Sequence, residues 1–179
     1  MNTENSTAFR VFSLTPEHIP FLEAFEEAAD LPFWGADSYR RFLEEFSEYF
    51  GFCLVPETGE KRLTGFSLAR AVFEDLELLK IGILPELRRI RLGTRLLEET
   101  FTEGKRRGST HCFLEVRKSN RKAIRFYFSH GFRVSDARLN YYTNPVEDAW
   151  VMERRIIQQT TSENPKIKAC DTKAEFNVR

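Results

Sequence analysis

Ile81 to Leu97 reads IGILPELRRIRLGTRLL. It is an apolar strand, a proline stop, a short basic loop and the opening of an amphipathic helix. A helix that starts straight after a strand leaves its first backbone N–H groups unpaired and aimed at one point, with the positive end of its dipole behind them. Such a corner suits an anion such as a pyrophosphate. Arg88, Arg89, Arg91 and Arg95 add positive charge to it. On these residues alone a solvated basic loop is an equal alternative, because the single Gly93 is a weak signal.

Downstream, Leu114 to Tyr127 reads LEVRKSNRKAIRFY. The strand that ends near Val116 is followed by Ser119-Asn120, with Asn120 as the cap of a helix carrying Ala123, Ile124 and Tyr127. Ala123 and Tyr127 are four apart and share a face. A carboxylate (Glu115), a cap amide (Asn120) and a phenol (Tyr127) can therefore meet beside one sheet edge. Each taken alone also has an ordinary reading, Glu115 as an exposed strand-end charge and Tyr127 as a core aromatic.

Working outward, Phe9 to Leu14 is a first strand, and Thr15-Pro16 is the N-cap and first residue of a helix running to about Ala29. Ile19, Leu22, Phe25 and Ala29 recur at the spacing of one buried helix face. Leu31 to Gly35 breaks the pattern, and a second helix is expected from about Asp37 to Tyr49, burying Tyr39, Phe42, Leu43 and Phe46. Strands follow at Phe50 to Val55, Leu63 to Phe73 and Leu76 to Leu84. Next come a helix over Leu92 to Arg107, a strand at His111 to Val116, a helix at Arg121 to His130, and strands near Phe132 to Tyr142 and Asp148 to Ile156. This order describes an α/β (α+β) domain around one mixed sheet. Residues 8–157 are the expected domain and 158–179 a polar, disordered tail.

Composition narrows the function classes. Lys plus Arg and Asp plus Glu are each 27, giving no net charge to draw the chain to nucleic acid or membrane. No apolar run approaches the ~18–20 residues of a membrane span, and Met1 to Thr7 does not resemble a secretion signal. Three cysteines (Cys53, Cys112, Cys170) are an odd number with no metal-like spacing, which suits a reducing, cytoplasmic setting. His18, His111 and His130 match no metal-binding pattern, so no metal is expected. His111 and Cys112 are strand neighbours on opposite faces and make no catalytic pair.

Taken together, Leu79 to Leu97, the run Leu114-Glu115-Val116-Arg117-Lys118-Ser119-Asn120 leading to Tyr127, and Asn140-Tyr141-Tyr142 followed by Glu147-Asp148-Ala149 and Met152 resemble the GNAT superfamily of acetyl-CoA-dependent N-acetyltransferases. The resemblance covers about Phe9 to Ile156 and is strongest to the RimI-like ribosomal-protein-alanine N-acetyltransferases. It implies a mixed, mostly antiparallel central sheet of about seven strands flanked by helices. It also implies acetyl-CoA as co-substrate and a protein or peptide N-terminus as acceptor, a ribosomal protein being the family's own case. A monomer or weak dimer is expected. Alternatives are a lysine or small-amine acceptor, or a non-catalytic module that binds acyl-CoA.

The same resemblance implies residue roles. Glu115 corresponds to the general base and Tyr127, which also borders the coenzyme, to the general acid. Arg88, Arg89, Arg91, Leu92, Gly93 and Thr94 form the phosphate loop, Ile81 and Ile83 the strand beside the pantetheine arm, and Asn120 the asparagine against the coenzyme. Tyr141 and Tyr142 lie on the acceptor side. Glu147 and Asp148 could attract a positive amino end, although exposed turn acids are common. Arg91 replaces the first glycine of the family's loop. The expectation is a negative φ at Arg91, with its N–H still reaching phosphate and its guanidinium adding a charge contact.

Overall fold

The computed structural model describes residues 8–59 and 62–156, so the expected tail at 158–179 lies outside the described residues. Seven strands form one sheet: β1 (Phe9–Ser13), β2 (Tyr49–Pro56), β3 (Gly65–Val72), β4 (Asp75–Ile83), β5 (His111–Arg117), β6 (Arg133–Thr143) and β7 (Val146–Arg155). Their spatial order is β1-β2-β3-β4-β5-β7-β6. Every pairing is antiparallel except β4 with β5. These two are parallel because α3 (Leu92–Arg106) crosses over between them.

Helices cover both faces. On one side α1 (Ile19–Ala28) and α2 (Gly35–Arg40) bury Leu22, Phe25 and Tyr39 against Cys53, Phe66 and Leu68. On the other, α3 and α4 (Arg121–Ser129) bury Leu97, Phe101 and Tyr127 against Leu76, Cys112, Leu114 and Met152. Gly104 lets α3 lie close to the sheet, since a Cβ there would come within 2.7 Å of Leu76 Cδ2.

The second helix is shorter than expected. After α2 the chain makes a π-turn over Arg41–Glu45 and then extends at Phe46. Tyr39 is fully buried, but Phe46 is exposed. Its side chain packs on the Tyr49 ring, 5.8 Å away, rather than in the core.

Two irregularities in the sheet create the site. The β4–β5 ladder holds only three pairs, Asp75↔His111, Leu76↔Cys112 and Glu77↔Phe113. Beyond them β4 runs on to Ile83 and β5 to Arg117 without pairing, so the sheet opens. The second is a register shift between β3 and β4, where Leu68 pairs with Lys80 but Ala69 with Leu78. The extra residue, Leu79, reverses the alternation. Leu76 and Leu78 therefore face α3, and after the bulge Lys80 turns to the α1 side.

Candidate active site

The free edge of β4 can be read from its hydrogen bonds. Leu84 N–H donates to Thr64 O at 3.0 Å, and the antiparallel register places Gly65 opposite Ile83 and Ser67 opposite Ile81. By alternation the peptide groups of Ile81 and Ile83 point away from β3, into the opening. The Ile83 carbonyl is already used, accepting from Arg88 Nε at 2.9 Å. Its N–H and both groups of Ile81 remain for an extended ligand.

At the end of that edge α3 begins. Among the described residues the N–H groups of Leu92, Gly93 and Thr94 make no backbone hydrogen bond. Arg91 sits just before them with φ 66° and ψ 10°. The expected negative φ is thus wrong: Arg91 is left-handed, as is Arg89 at φ 70°. A left-handed residue followed by a helical one turns successive N–H groups into one concave nest, an anion-binding shape. The loop keeps the geometry that glycine would give and bears a strain of about 1–2 kcal/mol for it. Arg91→Gly is therefore expected to gain about 0.5–1 kcal/mol after glycine's own entropy loss. That is a rise of about 1–4 °C in Tm, measurable by thermal unfolding; a fall would contradict the strain.

The four arginines do not act together. Arg88 donates to Ile83 O and, at 2.7 Å, to Ala29 O, so it clamps the loop to the end of α1. Arg95 donates to Phe9 O at 2.5 Å and holds β1. Of the four, Arg89 and Arg91 are the ones whose guanidinium groups have no hydrogen bond or ion pair among the described residues. Thr94 Oγ1 lies 3.0 Å from His130 Nε2, locking the start of α3 to the end of α4. Gly93 has φ outside the left-handed region, and a Cβ there would make only ordinary contact with Phe126 at 3.5 Å.

Glu115 lies on β5, whose buried residues Cys112, Leu114 and Val116 face α3 and α4. Alternation puts Glu115 on the opposite face. Its side chain is 15% exposed and its Oε1 lies 3.0 Å from Arg138 Nη2 on β6. Burial raises the Glu115 pKa; Arg138 opposes this and Glu77 adds to it. Tyr127, from α4, packs between Phe126 and Phe132, with ring centroids 5.5 Å from each. Burial pushes its phenol up, with Cys112 and Tyr142 contributing. Carboxylate and phenol thus stand on the two faces of the opened sheet.

Tyr141 and Tyr142 connect these two sides. Their rings meet edge-on at 5.1 Å. Burial raises the Tyr142 pKa to about 12, and the charges of both Glu115 and Glu147 add to the rise. The Glu115 charge also acts on Tyr141. Asn120 caps α4 as expected, accepting from Ala123 N–H at 3.1 Å. Glu147 and Asp148 are spoken for: Glu147 pairs with Arg117 at 3.1 Å and accepts from Ser119 N–H at 2.6 Å, and Asp148 pairs with Lys118 at 2.8 Å. They brace the loop before α4 rather than await a ligand. Buried Cys112, its thiol raised to about 12 by desolvation, is no nucleophile.

Sequence reasoning missed Arg138 and Glu77. Arg138 contacts Glu115 from β6 and Glu77 acts on it by charge from β4, and no local spacing signals either relation.

A sheet opened between two parallel strands, ending on a helix-start nest, suits a transferase that grips an extended anionic carrier. The chain matches the Acetyltransferase (GNAT) family over residues 19–132 and belongs to that family of acetyltransferases. It is 32% identical over 144 residues to the ribosomal protein bS18-alanine N-acetyltransferase of Escherichia coli strain K12, covering 79% of this chain and 94% of that one. The crystal structure of the ribosomal-protein-S18-alanine N-acetyltransferase from Escherichia coli superposes with a TM-score of 0.73 at 29% identity, over 87% of this chain and 100% of that chain. Arabidopsis thaliana NAA60 in complex with acetyl-CoA shares the fold alone, with a TM-score of 0.74 at 15% identity over 83% of this chain and 99% of that one.

Proposed function

We propose that the protein transfers an acetyl group from acetyl-CoA to the α-amine of a protein N-terminus, with a ribosomal protein as the leading candidate acceptor. The transferase unit is assigned to residues 8–157, acting in the cytoplasm, where both substrates occur. The observation that carries the reading is a half-buried carboxylate, Glu115, set where β4 and β5 part.

The coenzyme supplies the activated acetyl thioester. The nest at Arg91 to Gly93, with the guanidinium groups of Arg89 and Arg91, would hold its phosphates. The outward peptide groups of Ile81 and Ile83 would hold its arm, and Asn120, with Oδ1 committed to its own helix, would offer its amide NH2. An ammonium has no lone pair, so the acceptor must lose a proton first. Glu115 takes it, directly or through one water. The freed amine attacks the thioester carbon, and as the carbon–sulfur bond breaks the Tyr127 hydroxyl gives its proton to the departing sulfur. The nitrogen's second proton returns to Tyr127 through water, and Glu115 releases the first to solvent. The burial that raises the Tyr127 phenol also penalises a nearby thiolate, so the two remain matched as donor and acceptor. Tyr141 and Tyr142 border the acceptor.

An α-amine has a reference pKa of about 7.7–8.0 and a lysine about 10.4, so their free-base fractions at neutral pH differ by roughly several hundredfold. A single carboxylate base therefore suits the α-amine. Incubation with acetyl-CoA and peptides differing at the first residue, read by mass spectrometry, tests the assignment. Acetylation at the α-amine of Ala- or Ser-starting peptides is expected. Modification confined to lysine side chains would redirect the assignment, and coenzyme binding without turnover on any amine would favour a binding module.

A further inference from the structure

Arg138 has no part in the reaction as described, yet it holds the group on which that reaction turns. It stands on β6, across β7 from β5. Its guanidinium lies 3.0 Å from Glu115 Oε1 and 5.4 Å above the Tyr141 ring. Among the described residues, the other charges acting on Glu115 are Glu77 from β4 and Arg70 from β3. Glu115 itself acts on Tyr141 and Tyr142 of β6. Strand register sets Asp136 of β6, Glu153 of β7 and Arg117 of β5 on the same face. The neighbouring cations are committed, Arg70 to Glu77 at 2.6 Å and Arg133 to Glu153 at 2.7 Å. Asp136 accepts from the Ala137 N–H. Among the described residues Arg138 pairs with no carboxylate other than Glu115.

This pairing has a chemical consequence. A guanidinium stays charged in proteins and passes no proton to a carboxylate, so the pair leaves Glu115 ionised and occupied. An acceptor ammonium needs the same oxygen. It carries the same charge, so it can replace the guanidinium without leaving the carboxylate unpaired at any stage. The exchange is also mechanically easy. The Arg138 side chain is 55% exposed, and the β6–β7 ladder is interrupted between Arg138 and Tyr142, where Asn140 adopts φ 51°. The guanidinium can swing into solvent without disturbing the sheet.

We propose that Arg138 is a placeholder for the acceptor's ammonium, holding Glu115 ionised until an α-amine displaces it. This rests on Glu115 being the base. Arg138 is thus a positioning residue that competes with substrate as well as preparing the site for it. A partly exposed ion pair of ordinary strength sets the scale of that competition at about two- to fivefold in apparent affinity.

The test compares the native enzyme with Arg138→Gln and Arg138→Lys, using an α-amine peptide at saturating acetyl-CoA over a range of pH. In Arg138→Gln the acid limb of kcat/KM moves to higher pH, because the carboxylate has lost the cation that opposes its burial. Well above that limb the acceptor KM falls about two- to fivefold. Arg138→Lys restores both toward native. An unmoved limb with an unchanged KM overturns the proposal, as does a raised KM, which would make Arg138 a direct ligand of the acceptor. Glu115→Gln is run alongside. If it is as active as native enzyme, the base itself is misassigned; if it is inactive while Arg138→Gln behaves as native, only the placeholder role fails.

Discussion

Glu115→Gln is expected to lower kcat/KM for an α-amine acceptor by about 10²–10⁴-fold, the range associated with a positioned general base. The amide keeps the shape and some hydrogen bonding of the carboxylate but cannot take the acceptor's proton. Coenzyme affinity measured by calorimetry should be unchanged, since the loop that would hold the phosphates lies on other elements. The native enzyme should lose activity as pH falls through the Glu115 pKa, at a value above the ordinary carboxylate range. Burial is the main cause of that rise, and Glu77 reinforces it against Arg138. A loss below roughly tenfold, a single tenfold step being about 1.4 kcal/mol, would place the base elsewhere.

The largest expected effect on stability comes from a buried ion pair. Lys80 and Glu26 have side chains 5% and 0% exposed and bond directly to each other. Glu26 also accepts from Tyr39 Oη at 2.5 Å and from Trp34 N–H at 3.1 Å, while Lys80 donates to Pro32 O at 2.5 Å and lies 4.3 Å above the Trp34 ring. One cluster thus ties β4, α1, α2 and the loop between the two helices. That loop packs beside the opening: a Cβ at Gly82 would come within 2.6 Å of Leu31 Cδ1. Lys80→Met leaves an uncompensated carboxylate in the core and should cost about 3–5 kcal/mol, a large share of a typical total of about 5–15 kcal/mol. Adding Glu26→Gln, which still accepts from Trp34 and Tyr39, should recover most of it. Denaturant unfolding of the three proteins checks this. A loss under about 1 kcal/mol in the single variant would mean that the pair is solvated or replaceable.

Much of this architecture was legible in the sequence. Apolar periodicity and the cap at Asn120 marked the helices, and alternation in the strand at His111 to Val116 put His111 and Cys112 on opposite faces. Local rules failed where the determining contact is distant. Nothing near Leu79 announces a bulge, so Lys80 read as an ordinary strand residue rather than the partner of Glu26. Four arginines in one stretch looked like one basic patch, yet Arg88 and Arg95 turn back to backbone carbonyls on α1, β4 and β1. At Arg91, backbone geometry overrode side-chain preference, because the loop requires a left-handed turn there whichever residue occupies it. The second helix stopped early because its π-turn swings Phe46 out of the periodic face. Arg138 lies 23 positions beyond Glu115 in the chain, and only the sheet order, with β7 between their strands, brings them together.

The most direct test of where the two substrates meet is a crystal structure with a bisubstrate conjugate, a peptide joined through its α-nitrogen to CoA by an acetyl-length link. The expected result places the nitrogen within hydrogen-bond reach of Glu115, directly or through one water, with the sulfur beside the Tyr127 hydroxyl. The pyrophosphate should lie in the nest that opens α3, and Arg138 should be swung off the carboxylate. A conjugate bound outside the gap between β4 and β5, or one whose nitrogen faces away from Glu115, would contradict the account.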